Sequence, residues 1–452
     1  MSTGKGIALV AALAAGAAGA GGGVFGILPL LNSIPAMFAG GGAVMGMGKG
    51  IAVVLAAGAV IGGIYVVSQR EETPPPPRPA AGAPVSAPTD WITTARDYLS
   101  AHPGDVGLSH MIAALERLDA GAISPHLQEL RDICTDGWQG SHPAIADLLQ
   151  SQRPALDEAV AAASAEWITL PPLATVTTPV PAPPQIQALT RLLVAEGRRD
   201  EAQGRFDQAA GRVIEAARFS EQWLGENTTP VQYLVVIGGL TLTMQSLEST
   251  LRAPGLSMDE INTLRGELAQ LDTPRVGVAE ALRSEKRMSL ETVRRTLEGA
   301  PGGYLRSTPE EMRDAIGGDL QTFEAEHGRM WDDLIANAER PYWEREVVDE
   351  AWVRQRTDNM MLRLMAPSLT EMATRADVAL AHVRLCRTLV SLRDDVIFGI
   401  DWVASDPFND MPVSVAPDRV WSVGPDEEDQ GGALSYDPTN GTVSPGDIVA
   451  LR

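Results

Sequence analysis

Apolar residues fill two uncharged runs at the front of the chain, residues 6–48 and, after Lys49, residues 50–69. No later stretch repeats this pattern. The second run reads GIAVVLAAGAVIGGIYVV over 50–67 and, with Ser68 and Gln69, has about 20 residues, the length one helix needs to cross hydrocarbon. Tyr65 lies near its far end, where an amphipathic ring suits the interface. Gly58 and Gly62 are four apart and would let a second helix approach closely. Glycine at this density weakens a helix in water, so the pattern predicts a membrane span over 50–67. The first run follows Lys5 and contains Ala18-Gly19-Ala20, a small-residue pattern like a cleavage site. Pro29, Pro35 and the glycines at 40–42 end any helix near residue 30. This run reads as a signal peptide, a first span or a re-entrant piece. The fragment GKGIA at 4–8 recurs at 48–52, which relates the two segments.

Beyond residue 70 the pattern changes. Residues 73–89 hold seven prolines, four of them consecutive at 74–77. Such a stretch packs no core and tends to extended polyproline structure, the character of a stalk. From Asp90, an N-cap for a helix over 91–101, to about Asp395 the periodicity is helical. Ser257 and Glu260 form a capping-box pattern before Ile261, Leu264 and Leu268. Thr308-Pro309-Glu310-Glu311 places a cap, a first-turn proline and first-turn acids in order. Phe206, Ala210, Val213, Ala217 and Leu224 share one helical face. Residues 228–247 carry no charge and are apolar almost all round from Val231 to Met244. Their threonines, glycines and Gln245 suit the buried central helix of a bundle. GRRDEAQGRFDQA, over 197–209, sets Gly197, Ala202, Phe206 and Ala209 at tetratricopeptide spacing. One copy alone predicts a helical hairpin inside a bundle. Six prolines over 171–184 mark a second loop.

After Asp406-Pro407-Phe408 the helices stop. Residues 412–416 and 419–423 alternate like short strands, a turn-rich acidic stretch follows at 424–432, and 446–449 reads as a final strand. The expected architecture is mainly α: a membrane anchor over 1–69, a Pro-rich linker over 70–89, an α-helical bundle over 90–405 and a small β-containing tail over 406–452.

Charge narrows the possible partners. The chain has a net charge of −22. Residues 1–67 hold two lysines and no acid, leaving 34 basic against 58 acidic residues in the remainder. Such a body is repelled by phosphate backbones, which argues against nucleic acid. Lys5 and Lys49 precede the second run, while Arg70 is followed by Glu71 and Glu72. One span places the body outside the cytoplasm, and this is the expected location; two spans would return it to the side of the N terminus. Cys134 and Cys386 give no disulfide framework and no metal-ligand spacing.

Candidate chemistry is sparse. Glu324 and His327 form one Glu-x-x-His near Asp332 and Asp333, whereas a di-iron bundle needs two such motifs. This pattern is expected to be a hydrated helix face. Trp331, Trp343 and Trp352, with Met360, Met361 and Met365, are expected to be helix contacts rather than a ligand cage. No phosphate-cradling loop, His-Glu-x-x-His or nucleophile elbow occurs.

The order DPF, a short strand, WSVGPD, D-x-GG and GDIV over 406–449 resembles the C-terminal segment of type II secretion major pseudopilins. In that family an acidic loop and an Asp-Ile pair surround calcium. The resemblance implies Asp426, Asp429 and Asp447, with Asp437, as calcium ligands, hard oxygens on a flexible loop. EGRRDEA (196–202), the uncharged helix from 231, LSMDEINTLRGEL (256–268), ALRSEKRMSLETV (281–293) and the tail together resemble uncharacterised bacterial membrane-anchored helical proteins. Pilin-type processing needs a Gly followed by an apolar helix with Glu at its fifth position. Gly6 and Gly50 lack that Glu, which argues against assembly into a fibre. The reading that follows is a membrane-tethered, non-enzymatic interaction or envelope-structural protein, with a protein partner or a second copy met through the helical body and no cofactor beyond calcium. The alternatives are a metal-dependent module or enzyme at the tail loop or around His327, and a membrane sensor.

Overall fold

The computed structural model describes residues 51–54, 65–68, 91–166, 168–172, 180, 183–273, 276–299, 308–365, 369–398, 403–440 and 442–452. Of the front end it describes two short strands. β1 (Ile51–Val54) pairs antiparallel with β2 (Tyr65–Ser68), in a register running from Ile51 opposite Ser68 to Val54 opposite Tyr65. These residues therefore differ from the single helix expected over 50–67. Ile51, Val53, Val54, Val66 and Val67 are β-branched, and that preference for extended backbone accounts for the difference. The first apolar run, the proline-rich stretch at 73–89 and the cap at Asp90 lie outside the described residues.

The body is helical. α1 (Trp91–Ala101), α2 (Val106–Arg117), the short α3 (Ala120–Ile123), α4 (Leu127–Asp136), α5 (Pro143–Ser151) and α6 (Arg153–Ala163) come first. α7 (Pro183–Ala202), α8 (Phe206–Glu221) and α9 (Pro230–Arg252) follow. α10 (Met258–Leu271), α11 (Val278–Leu297), α12 (Pro309–Ala315) and α13 (Leu320–Ala338) precede the short α14 (Glu350–Arg354) and α15 (Met360–Met365) and the long α16 (Leu369–Phe398).

α9 is the centre. It packs on α4, α7, α8, α11 and α16 and on the tail sheet. Among the described residues it is the one helix long and apolar enough to cross a membrane, and most of it is buried within the protein. Its start is fixed by a reciprocal box that the sequence reading missed: Thr229 Oγ1 accepts from the Gln232 amide at 3.2 Å, and Gln232 Oε1 accepts from the Thr229 amide at 3.0 Å. The Thr229-Pro230-Val231-Gln232 pattern was its signal. Val236, Met244 and Leu247 are fully buried, each stabilising the fold by roughly 1.5–3 kcal/mol. At Gly239 a Cβ would lie 2.8 Å from Ser220 Oγ, so the missing side chain sets how closely α8 and α9 approach.

α7 and α8 form the hairpin that the single tetratricopeptide-like copy predicts, turning at Gly204 with φ +74°. A Cβ on Gly197 would lie 3.0 Å from Val213 Cγ2 and 3.2 Å from the Ala209 carbonyl, which is the close approach that spacing implies. Thr308 caps α12 as expected, and Glu311 answers it to make a full capping box, a second half that the first-turn acids alone did not predict. At α10 only half forms. Ser257 Oγ accepts from the Glu260 amide at 3.1 Å, while the Ser257 amide donates to Asp207 of α8 at 3.0 Å. A tertiary partner takes the place that Glu260 would fill in an isolated helix.

Two tail strands fall within the ranges that alternation marks, and the last begins at Ile448 rather than at 446. β3 (Ser414–Val415), β4 (Arg419–Ser422) and β5 (Ile448–Leu451) form an antiparallel sheet in the order β3-β4-β5. Secondary structure changes near 405–406, but the core does not stop there. β4 and β5 lie on α16, β5 also reaches α9, and Phe408, Val420, Ile448 and Ala450 join the same buried cluster as the bundle. Tyr342 crosses the seam, with its ring edge-on to Phe408 at 4.8 Å and its hydroxyl donating to the Pro425 carbonyl at 2.6 Å.

Two glycines hold the tail's fold. Gly446 has φ +125°, and a Cβ there would lie 2.7 Å from Ser435 C and Tyr436 N; a Cβ on Gly424 would lie 2.5 Å from the Gly446 carbonyl oxygen. Gly446→Ala is expected to lower the unfolding free energy by ~2–4 kcal/mol. Gly266→Ala, in the exposed middle of α10 with nothing within 4 Å, is expected to raise it by ~0.5–1 kcal/mol. Urea unfolding of both variants checks the pair, and equal shifts would contradict the packing described.

Candidate functional site

The Glu-x-x-His segment lies on α13, which Asp319 caps by accepting from the Thr322 amide at 2.9 Å. Phe323, His327, Met330, Trp331 and Leu334 occupy one buried stripe of this helix against α11. Glu324, Asp332 and Asp333 point outward and pair with Arg294 at 2.7 Å, Lys286 at 2.6 Å and Arg356 at 2.8 Å. The expected hydrated face thus holds for the three acids and fails for His327, which is 0% exposed. The i, i+4, i+7 and i+11 spacing of Phe323, His327, Met330 and Leu334 carried that information.

His327 Nε2 lies 2.8 Å from Ser289 Oγ on α11. The serine hydroxyl donates to the Lys286 carbonyl at 3.2 Å. It therefore accepts from Nε2–H, an assignment made from the hydrogen-bond pattern. Nδ1 of His327 and Nε1 of Trp331 have no hydrogen-bond partner among the described residues. One helical turn before Ser289 sits Glu285, buried and with no ion pair or hydrogen bond among the described residues. Burial alone pushes its carboxyl up to about 8, so near neutral pH it is mostly the uncharged acid. Burial, then the charge of Lys286, pushes the His327 imidazole down to about 4.

A serine and a histidine at this distance are the first two members of a nucleophilic arrangement. The third is missing: Glu324 faces Arg294, and no carboxylate meets Nδ1 among the described residues. Both members are also buried. Glu285, Ser289 and His327 form an interior polar strip between two helices, with both titratable members in their neutral forms.

Trp331 and Trp352 are buried, as expected of helix contacts. Trp352 donates to Glu346 at 2.7 Å and carries the Arg356 guanidinium 3.5 Å above its ring. Trp343 and Met360 instead stand at the surface.

The tail acids divide. Asp447 is fully buried and accepts from the Gly432 amide at 2.8 Å and the Gln430 amide at 3.4 Å. Asp426 accepts from the Gly446 amide at 3.1 Å and the Gln430 side chain at 3.0 Å. Asp429 accepts from the Gly431 amide and the Trp421 indole, both at 2.8 Å. Burial, then the neighbouring charges of Asp429 and Asp426, raises the Asp447 carboxyl. Asp437 turns away to hold the Thr439 amide at 2.8 Å. Among the described residues no three His, Cys, Asp or Glu side chains are grouped so as to hold a metal ion. The oxygens of Asp426, Asp429, Asp437 and Asp447, the calcium set that the resemblance implies, bind amides of their own loop in this structure.

EGRRDEA at 196–202 proves to be a clasp. Glu196 is buried on α7 and binds Arg153 of α6, Arg212 of α8 at 3.1 Å and Arg199 at 3.4 Å. Arg198 donates to the Cys134 carbonyl of α4 at 3.2 Å, and Asp200 pairs with Arg205 across the hairpin turn. Glu201 accepts from Ser249 of α9 at 2.9 Å. Cys134 and Cys386 are separate buried thiols, and burial pushes Cys134 up to about 12.

No family model, curated protein or solved structure matches the chain.

The buried strip generates opposed pH dependences. Glu285 rises from an ordinary 4.5 to about 8 on folding, so its contribution is favourable below 4.5 and is lost as pH climbs to 8. His327 falls from 6.5 to about 4, so its contribution is present above 6.5 and is lost as pH falls through 4. Glu285→Gln is expected to match the parent near pH 4.5 and to exceed its stability at pH 8 by ~2–4 kcal/mol. Urea midpoints taken across that range test this; a difference independent of pH would show that Glu285 does not titrate as described.

Proposed function

We propose that the chain is a membrane-tethered, non-enzymatic interaction or envelope-structural protein, whose acidic helical body is held off the bilayer by the proline-rich linker. The observation that carries this reading is where the reactive side chains lie. His327 and Ser289 are closed inside a helix contact, and the tail acids bind their own loop. The uncharged front end supplies the tether, and the net charge of the body favours a protein partner or a second copy over nucleic acid. The pseudopilin-like order of the tail and the segments that resemble membrane-anchored helical proteins are consistent with this reading. Absence of Glu at the fifth position after Gly6 and Gly50 argues against a fibre. With a single crossing, the lysines at 5 and 49 put the body outside the cytoplasm.

Lipid does not tolerate an open two-stranded ladder, because its outer edges leave peptide groups unpaired. Insertion of residues 50–67 therefore requires the β1–β2 stretch to become helical. The full chain is expected to sediment with membranes, resist alkaline carbonate and dissolve in detergent. A variant lacking residues 1–89 is expected to stay in the supernatant. Recovery of the full chain from the supernatant after ultracentrifugation without detergent overturns the proposal.

A further inference from the structure

Buried polar atoms without a hydrogen-bond partner are scattered through the described residues, among them Trp223 Nε1, Ser246 Oγ, His327 Nδ1 and Trp331 Nε1. Such an atom loses its hydration on folding, so each calls for a donor or an acceptor. Trp223 packs on the rings of Trp91 and Phe219. His327 and Trp331 differ, because here two unpartnered atoms belong to neighbouring rings. The residues stand one turn apart on α13, with ring centroids 5.8 Å apart and planes tilted by 43°. Helical side chains lean toward the N terminus, so the Trp331 indole lies over the turn that carries His327.

The two atoms are also complementary. The Ser289 hydroxyl donates to the Lys286 carbonyl at 3.2 Å and accepts from His327 Nε2 at 2.8 Å. With the imidazole neutral near pH 7, Nδ1 then carries a lone pair and no proton. Trp331 Nε1–H donates and cannot accept. One unfilled acceptor thus lies beside one unfilled donor. The charged groups nearby are engaged elsewhere, Lys286 with Asp332 at 2.6 Å and Arg294 with Glu324 at 2.7 Å. Together with the Ser289–His327 bond, these contacts run antiparallel along α11 and α13, which sets Glu285 level with Trp331. Its buried carboxyl, also without a partner among the described residues, makes the seam polar at this height.

We propose that the α11–α13 contact binds a single buried water, which bridges Trp331 Nε1 to His327 Nδ1. The water accepts from the indole N–H and donates to the imidazole lone pair, so both nitrogens are satisfied at once. Two hydrogen bonds of ~2.9 Å meeting at one oxygen join atoms up to about 5 Å apart, a span compatible with these ring positions. The bridge holds His327 in the tautomer that Ser289 requires, with its proton on Nε2. It depends on the helix contact alone and not on any membrane tether.

The test uses the full chain in neutral detergent micelles, labelled with ¹⁵N at tryptophan, with water itself as the probe. Of the nine tryptophan indole signals, the one that Trp331→Phe removes belongs to Trp331. That signal is expected to show a nuclear Overhauser cross-peak to water with the sign of a long-lived contact, and His327→Phe is expected to abolish it. A crystal structure of the full chain needs no variant and keeps the test valid where a substitution unfolds the protein. It is expected to show density for one water within ~3.2 Å of both nitrogens. No cross-peak to water at Trp331, a cross-peak unchanged in His327→Phe, or density with no water in reach of both nitrogens overturns the proposal.

Discussion

α9 presents apolar side chains over most of its circumference and so must be covered there, while Leu234, Gly238, Thr241 and Gln245 form a stripe left partly open. The other elements are arranged to meet that demand. α7 and α8 cover it as a close hairpin, made possible at Gly197 and Gly239 by absent side chains. α16 and α11 cover other sides, and β5 of the tail completes the enclosure. Hydrophobic burial gives this packing its energy but no direction. The clasp at 196–202 adds direction, because Glu196 reaches α6 and α8 through guanidiniums while Glu201 reaches α9 through hydroxyls. Breaking one partner of such a buried network leaves an uncompensated charge.

Much of this was legible from residue patterns. The charge-free stretch at 228–247 marked the central helix, Thr308 and Glu311 marked a helix start, and period-two alternation after Pro412 marked the tail strands. Each of these signals is local. What was not legible depends on contacts far apart in sequence. Ser257 had the right neighbour in Glu260, yet its amide binds Asp207. Glu285 looks like any solvated helix residue until α11 is packed. At the front, length and hydropathy favoured one helix, while the β-branched residues of β1 and β2 favoured extended backbone.

The candidate chemistry shows why motif spacing alone misleads here. Glu324 and His327 are three apart on a helix, which suits shared ligation, but α13 is half buried and the two residues fall on opposite sides of its waterline. The tail acids resemble a cation loop by order, yet the turns at Gly431, Gly432 and Gly446 aim amides at them. In both places the same residue types that bind metals elsewhere satisfy the polar groups of the fold itself.

The completion of the α9 enclosure by β5 has a bearing on how the protein is made. Residues 448–451 leave the ribosome long after residues 230–252, so the central helix waits, partly uncovered, while half of the protein is still being synthesised. During that interval it passes the length and hydropathy test of a membrane span. Its threonines, paired glycines and Gln232 and Gln245 keep its hydropathy moderate. A chain cut short before the tail would keep α4, α7, α8, α11 and α16 against this helix and lose only the cover that β5 adds.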